Sequence, residues 1–323
     1  MNKIKWGIIG CGDVTEVKSG PALQNVEGSE LVAVMRRNGD LAEDYARRHN
    51  VPKWYEDARD LINDKEVNAI YVATPPASHK KYTIAAAQAG KPVYVEKPMA
   101  LNYQECRKMI KTCQKHNVPL FTAYYRRALP RFLKIKSLID DGKLGQISSV
   151  NMRLYQKPKE EDLAGKEHWR VKPAIAGGGY FYDLAPHMLD LMQYYFGPIE
   201  SAQGVTANQG NLYNAEDSVI AIFTFKNGML ATGIWNFFAS KEVDDTEIIG
   251  SKGHLKYATF NNDPILFYSD GKVEKFEIKN PVHIQQPLIQ KVVNSLRGQG
   301  LCPSTGRSGA QTNRVMDEIF GHK

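Results

Sequence analysis

Ile4-Lys5-Trp6-Gly7-Ile8-Ile9-Gly10-Cys11-Gly12-Asp13-Val14-Thr15 is the stretch that decides how this chain folds. Ile4–Ile9 reads as a buried strand, and Gly10-Cys11-Gly12 as a tight turn that opens a helix running to about Val26. In that setting the first glycine permits the turn and the second lets a pyrophosphate come close to the backbone. The amides of the helix N-terminus then meet the negative charge. Asp13 and Val14 lie in the same opening turn and join the expected dinucleotide contacts. The third position of the pattern is Thr15 rather than Gly or Ala, so its hydroxyl either bonds phosphate or caps the helix.

Working outward, apolar strands alternate with helix-period segments up to residue 122. The expected strands are Leu31–Met35, Ala69–Ala73, Pro92–Val95 and Leu120–Thr122. Between them lie expected helices at Asp40–His49, Ala58–Asn63, Ser78–Ala89, stopped by Gly90, and Tyr103–His116. This alternation implies right-handed βαβ units and a parallel sheet. After residue 123 the pattern changes. A helix at Pro130–Asp140 is followed by β-type runs from Ile147–Tyr155 to Val273–Ile278, some joined by Lys226-Asn227-Gly228 and Ser269-Asp270-Gly271. Those are hairpin turns, because glycine supplies positive φ without a Cβ penalty. The second half is therefore a mainly antiparallel sheet, interrupted by a helix at about Asp183–Phe196 and followed by helices at Ile284–Arg297 and Ala310–Phe320. Two domains are expected, 1–122 for dinucleotide and 123–323 for substrate and oligomerisation. A C-terminal helix at about 308–321 is expected to pack back on the first.

Composition narrows the class. The 323 residues are 42% hydrophobic and 24% charged, which is globular. No run reaches the roughly 18 apolar residues of a membrane span, and no secretory leader precedes the first strand. The cysteines Cys11, Cys106, Cys113 and Cys302 have neither CxxC nor metal-ligand spacing and read as reduced thiols of a cytoplasmic protein. The net charge of +7 raises nucleic acid as a partner. Its cations, however, are scattered and not interleaved with base-stacking aromatics, so nucleic acid is not expected.

The second strand ends Val34-Met35-Arg36-Arg37-Asn38, without the carboxylate that binds an NAD ribose. Arg36 and Arg37 suit a 2′-phosphate, so NADP(H) is favoured and NAD(H) is the alternative. Thr74, Pro75 and His79 follow the third strand and form the next wall of the cofactor crevice, His79 as a helix cap or supporting group there and not as a catalyst. Glu96-Lys97-Pro98 closes the strand after that. A lysine there points into the crevice where open α/β sheets bind ligands, and a desolvated lysine can act as general acid or base. The plainer reading is a surface ion pair of Glu96 with Lys97. Gly177-Gly178-Gly179-Tyr180-Phe181-Tyr182-Asp183-Leu184-Ala185-Pro186-His187 is the other concentration of chemistry. Asp183 and His187, four apart, share a helix face, where a carboxylate can orient an imidazole. The alternative is Asp183 as a cap and His187 as a buried, satisfied side chain. Asp183, His187 and Asp190 make a thin ligand set, and no metal is expected.

Gly10-x-Gly12, Glu96-Lys97-Pro98 and Gly177-Gly178-Gly179…Asp183…His187 together resemble, in order and spacing and over nearly the whole chain, the Gfo/Idh/MocA oxidoreductases. Thr74-Pro75…His79, Tyr125-Arg126 and Trp169-Arg170 look like family positions as well. The resemblance implies an α/β protein: an N-terminal Rossmann doubly wound parallel sheet, then an α+β domain with a large open, mainly antiparallel sheet that commonly serves oligomerisation. A homodimer or homotetramer is expected. It also implies Lys97, with Asp183 and His187, in proton transfer during hydride exchange with a sugar, polyol or related cyclic alcohol, and Glu96 and Lys97 beside the cofactor. Lys18, Tyr125, Tyr155, His168, Trp169, Arg170 and Tyr180 are the candidate substrate contacts. The Arg pair and the opening Gly12–Lys18 are most similar to NADP-dependent sugar reductases of the 1,5-anhydrofructose reductase kind. Two alternatives share the fold: a glycosidase that oxidises transiently with bound NAD, and a non-catalytic NADP-binding protein.

Overall fold

The computed structural model describes residues 3–166 and 168–321. The chain divides into two compact units, Met1–Leu129 with Pro281–Ala310, and Pro130–Asn280 with Gln311–Lys323.

In the first unit, β1 (Ile4–Ile9) leads through a π-helical turn at Thr15–Ser19 into α1 (Gly20–Asn25). Then follow β2 (Ser29–Met35), α2 (Gly39–Arg48), β3 (Lys53–Tyr55), α3 (Ala58–Asn63), β4 (Ala69–Val72), α4 (His79–Gln88), β5 (Val93–Val95), α5 (Tyr103–Lys115) and β6 (Leu120–Thr122). The six strands are parallel, in the order β3-β2-β1-β4-β5-β6. The central strands are apolar runs buried on both faces, which is what helices on both sides of a parallel sheet demand. Side chains stop the helices from fraying: Asn38 Oδ1 accepts from Leu41 N at 3.1 Å and Asn102 Oδ1 from Glu105 N at 2.9 Å. Strand order reverses between β1 and β4, the switch point beyond whose carboxyl ends such sheets bind ligands.

The second unit begins with α6 (Pro130–Asp140) and β7 (Ile147–Tyr155), then α7 (Glu160–Leu163), α8 (Pro173–Ala176) and α9 (Tyr180–Phe196). Seven strands follow: β8 (Ile199–Ala207), β9 (Ser218–Phe225), β10 (Leu230–Asn236), β11 (Val243–Gly250), β12 (His254–Tyr257), β13 (Ile265–Ser269) and β14 (Lys272–Phe276). With β7 they form a sheet of order β14-β13-β12-β11-β7-β10-β9-β8. Its neighbours are antiparallel except β7 and β10, which run parallel. Burial alternates along β9: Val219, Ala221, Phe223 and Phe225 point inward, while Ile220 and Ile222 point out. The inner face carries Trp235, against which Phe181 of α9 packs edge-on at 5.1 Å between ring centroids. The chain then gives α10 (Gln286–Leu296), in the first unit, and α11 (Gly306–Ile319).

This division differs from the expected single boundary after residue 122. The first unit continues through the 3₁₀ turn Tyr125–Ala128 and takes back 281–310. Hydrogen bonds explain the return: Arg127 Nη1 donates to Pro303 O at 2.8 Å, and Ser304 Oγ to Thr122 O at 2.6 Å. The last helix is split as well, with Gly306–Ala310 grouping with the first unit and the remainder with the second. Helix α9 starts at Tyr180 instead of Asp183, because Gly179 N is held by Glu216 Oε1 at 2.8 Å and the helix can begin there, ahead of Pro186.

Candidate active site

The carboxyl ends of β2, β1, β4 and β5 carry, in turn, Arg36, Gly10, Thr74 and Lys97. Gly10 has φ +94°, and a Cβ on it would lie 2.7 Å from Thr74 Cγ2, so only glycine lets the β1 and β4 turns approach so closely. Gly12 is the opposite case: a Cβ built there meets nothing within 4 Å. That open side, over the helix-opening residues Asp13 and Val14, is the room a pyrophosphate needs. Arg36 and Arg37 are exposed, and among the described residues neither enters an ion pair. The Arg36 charge bears on the same turn: burial pushes the Cys11 thiol up to about 11, and Arg36 opposes the shift. Thr74 Oγ1 is buried with no hydrogen-bond partner among the described residues, while Pro75 beside it is extended at ψ 151°. Open glycine, uncommitted hydroxyl and ion-pair-free guanidinium groups together fit a dinucleotide phosphate.

Three expected cofactor contacts are turned into the protein instead. Thr15 is fully buried and its hydroxyl donates to Gly12 O at 2.7 Å, fixing the turn from behind. His79 is fully buried at the start of α4, its ring nitrogens 2.6 Å from Thr74 O and 3.0 Å from Pro98 O. It thus bridges the turns after β4 and β5, and burial lowers its pKa below the ordinary histidine value. Glu96 Oε1 accepts from Tyr71 Oη and from Gln285 Nε2, each at 2.6 Å, and Oε2 from Lys97 N at 3.1 Å. This excludes the surface ion pair as the role of Glu96. Lys97 itself is half-buried and joined to Pro98 by a cis peptide bond. The side chain of Lys18 is exposed, on the π-helical turn whose carbonyls Val17 O and Lys18 O accept from the His283 ring at 2.7 Å and from Gln285 N at 3.2 Å. Tyr125 is buried, and its phenol oxygen accepts from Arg126 Nη1 at 2.9 Å.

The second unit gathers the other candidates. Asp183 and His187 lie four apart in the opening turns of α9. Arg170 Nε is 3.3 Å from Asp183 Oδ2, and the Arg170 guanidinium stacks over the Trp169 ring at 4.5 Å. His168 Nδ1 accepts from Arg170 N at 3.2 Å, which leaves the proton of a neutral ring on Nε2, facing Tyr180 Oη at 2.6 Å. Tyr180 Oη in turn donates to buried Asp162 at 2.7 Å. Burial, with the Lys159 charge adding to it, pushes the His168 pKa down and keeps the ring neutral. Burial and Asp162 push the Tyr180 phenol up. Tyr155 is half-buried at the end of β7. His187 is buried against Phe260, edge-on at 6.0 Å. The loop bearing Phe260 is pinned by Asp244, which accepts from the amides of Thr259, Phe260 and Asn261 at 2.6–2.8 Å.

Gln285, Glu216, Asp162 and Asp244 were not visible as site residues in the sequence. Each acts by folding back on a distant motif, and none has a local pattern to announce it. Glu216 Oε1 holds the third glycine of Gly177-Gly178-Gly179, and burial raises its pKa to about 7. Among the described residues no group of three or more His, Cys, Asp or Glu is placed to hold a metal ion, and no helix is long and apolar enough to cross a membrane.

Known proteins share this fold. Residues 4–124 match the oxidoreductase family with an NAD-binding Rossmann fold, and residues 132–256 the GFO/IDH/MocA C-terminal domain. Oxidoreductase P35 of Formosa agariphila is 40% identical over 321 residues, 99% of each chain. A 1,5-anhydro-D-fructose reductase of Ensifer adhaerens is 25% identical over 313 residues, 94% of this chain and 92% of its own. A levoglucosan dehydrogenase in complex with NADH and levoglucosan shares the fold at TM-score 0.86, with 21% identity over 99% of this chain and 97% of that one.

Proposed function

This chain belongs to the Gfo/Idh/MocA oxidoreductases, and on that premise we propose that it is an NADP(H)-dependent dehydrogenase or reductase of a sugar, polyol or related cyclic alcohol. The observation that carries the reading is the row Arg36, Gly10, Thr74, Lys97 along adjacent strand ends, on the crevice side of the sheet. Gly12 and the amides from Asp13 onward would hold the pyrophosphate, Thr74 would lend its hydroxyl, and Arg36 and Arg37 the 2′-phosphate site. The nicotinamide, when bound, supplies the hydride chemistry. Lys97 takes or gives the proton of the substrate hydroxyl, with Asp183 orienting His187 to place the substrate oxygen or relay that proton. His168 and Tyr180, whose polar atoms are engaged with each other and with Asp162, contribute ring surface to a sugar. Lys18, Tyr125, Tyr155, Trp169 and Arg170 complete the proposed substrate contacts.

The test is a panel of keto-sugars and polyols, including 1,5-anhydro-D-fructose and myo-inositol, against NADP(H) and NAD(H), read at the nicotinamide absorbance. Turnover of at least one pair is expected. NADP(H) should bind at least about tenfold more tightly than NAD(H), a difference of about 1.4 kcal/mol and within reach of one charge-assisted contact. Replacing Arg36 and Arg37 with Ala should erase that ratio. Equal affinities in the unmodified protein would remove the NADP assignment and leave an NAD(H) enzyme.

A further inference from the structure

We propose that Gln285 is a positioning residue for Lys97, acting through Glu96; this rests on the reading of Lys97 as the proton-transfer group. Gln285 is 1% exposed at the start of α10, remote in sequence from every motif of the site. Its backbone N–H donates to Lys18 O at 3.2 Å, its Oε1 accepts from Tyr94 Oη at 2.8 Å, and its Nε2 donates to Glu96 Oε1 at 2.6 Å. The direction of the amide is forced. Burial raises the Tyr71 and Tyr94 phenols well above their ordinary values, so both are hydroxyl donors. Tyr94 spends its proton on the amide oxygen, and the amide nitrogen is left for Glu96. Tyr71 donates to the same Glu96 oxygen at 2.6 Å and also lies 3.1 Å from Ser19 Oγ, at the end of the π-helical turn. With two donors on Oε1, the carboxylate is oriented so that Oε2 holds the Lys97 amide at 3.1 Å. Gln285 therefore ties the turn behind the phosphate cradle, through its backbone N–H, to the backbone of the lysine, through its side-chain amide and Glu96. Besides the two phenols, the titratable groups around this network are His79, on which the Glu96 charge acts, and Cys302 and Tyr125, which act on Tyr94.

The test compares Gln285→Ala, Gln285→Glu and the wild type, using whichever of 1,5-anhydro-D-fructose, myo-inositol and D-glucose the wild type turns over with NADP(H) or NAD(H). Gln285→Ala leaves a buried acceptor short of one donor. It should lower kcat roughly tenfold or more at every pH, with nucleotide Kd within about twofold. Gln285→Glu is nearly isosteric but places a second carboxyl against Glu96, and two adjacent carboxylates cannot both ionise. At acid pH the protonated newcomer donates as the amide does, so kcat should approach the wild-type value. As pH rises and the shared proton leaves, kcat should fall towards that of Gln285→Ala, a profile the wild type does not show. A role confined to stability would move the melting temperature and leave kcat unchanged well below it. Wild-type kcat in Gln285→Ala, or a wild-type pH profile in Gln285→Glu, overturns the proposal. Should Gln285→Glu not fold, Tyr94→Phe frees the amide to turn and should lower kcat several-fold; an unchanged value overturns it equally. If the wild type turns over none of the probes, the functional reading fails by itself. The network is then judged by whether the melting temperature of Gln285→Glu drops, relative to wild type, as pH rises.

Discussion

Lys97 stands half-buried at the end of β5, its backbone fixed by Glu96 and its cis bond to Pro98 leading into the carbonyl that His79 faces. Lys97→Ala should reduce turnover by roughly 10²-fold or more, the usual worth of general acid–base catalysis, with little change in nucleotide Kd. Lys97→Arg should not rescue it, because guanidinium does not release its proton in this range. Near-normal turnover in the Ala variant would move the proton-transfer role to His187. Glu216 allows a stability test independent of substrate. Burial sets its folded pKa at about 7 against an ordinary 4.5, so the folded protein keeps a proton that the unfolded chain releases between those values. Stability is then fully present below about pH 4.5 and drains away as pH rises through about 7. Glu216→Gln keeps an acceptor for Gly179 N and removes the charge. It should be more stable than wild type by about 2–3 kcal/mol above roughly pH 8 and no more stable near pH 4, by urea unfolding. Superimposable pH curves for the two proteins would refute the assignment.

The glycine turn can be dissected as an element, because its two glycines face opposite ways. Gly10→Ala forces an L side chain into φ +94° and against Thr74, so it should lower the melting temperature and abolish nucleotide binding together. Gly12→Ala meets no protein atom and should leave the melting temperature nearly unchanged while weakening nucleotide binding roughly tenfold or more. If Gly12→Ala binds nucleotide like wild type, the open side of the turn is not the phosphate site. These elements were legible in the sequence because each carries its own signature: an apolar run ended by glycine, or a turn glycine after Asn227 or Asp270. The π-helical turn at Thr15–Ser19 was not, since its displaced carbonyls find donors at His283 and Gln285, far along the chain. The edge strand β3 is three residues long and half-exposed, too short for a period to show. The parallel pairing of β7 with β10 is a long-range choice of neighbour that strand patterning does not encode. The same distinction divides the site. Lys97, Asp183 and His187 sit in motifs, whereas the groups that hold the first and third of these, Gln285 with Glu96 and Asp244 with Phe260, meet them only once the chain has folded.

On the scale of the molecule, the outer face of the second sheet carries exposed apolar side chains. Val205, Ile220, Ile222 and Leu230 are 75%, 53%, 56% and 61% exposed, and Val205 pairs with Ile220, which pairs with Ile234 across the next ladder. Such an apolar patch on an open sheet is expected to bury itself against a second copy, a two-fold dimer being the simplest closure and a tetramer its doubling. Light scattering at micromolar concentration should give a multiple of the chain mass, and Ile220→Asp with Ile222→Asp should give a folded monomer. A monomeric wild type would end that expectation. The chain's division has another effect, on the order in which the protein matures during synthesis. The strands of the nucleotide-binding unit leave the ribosome first, yet Gln285 and the buried Leu288, Ile289, Val292 and Val293 of α10 emerge only after residues 130–280 of the second unit. Until then Glu96 waits for its amide, and Val17 and Lys18 for the donors that complete their turn. A nascent chain arrested after residue 129 lacks all of α10 and should therefore bind nucleotide more weakly than the full chain, so the strands translated first depend on a segment made much later.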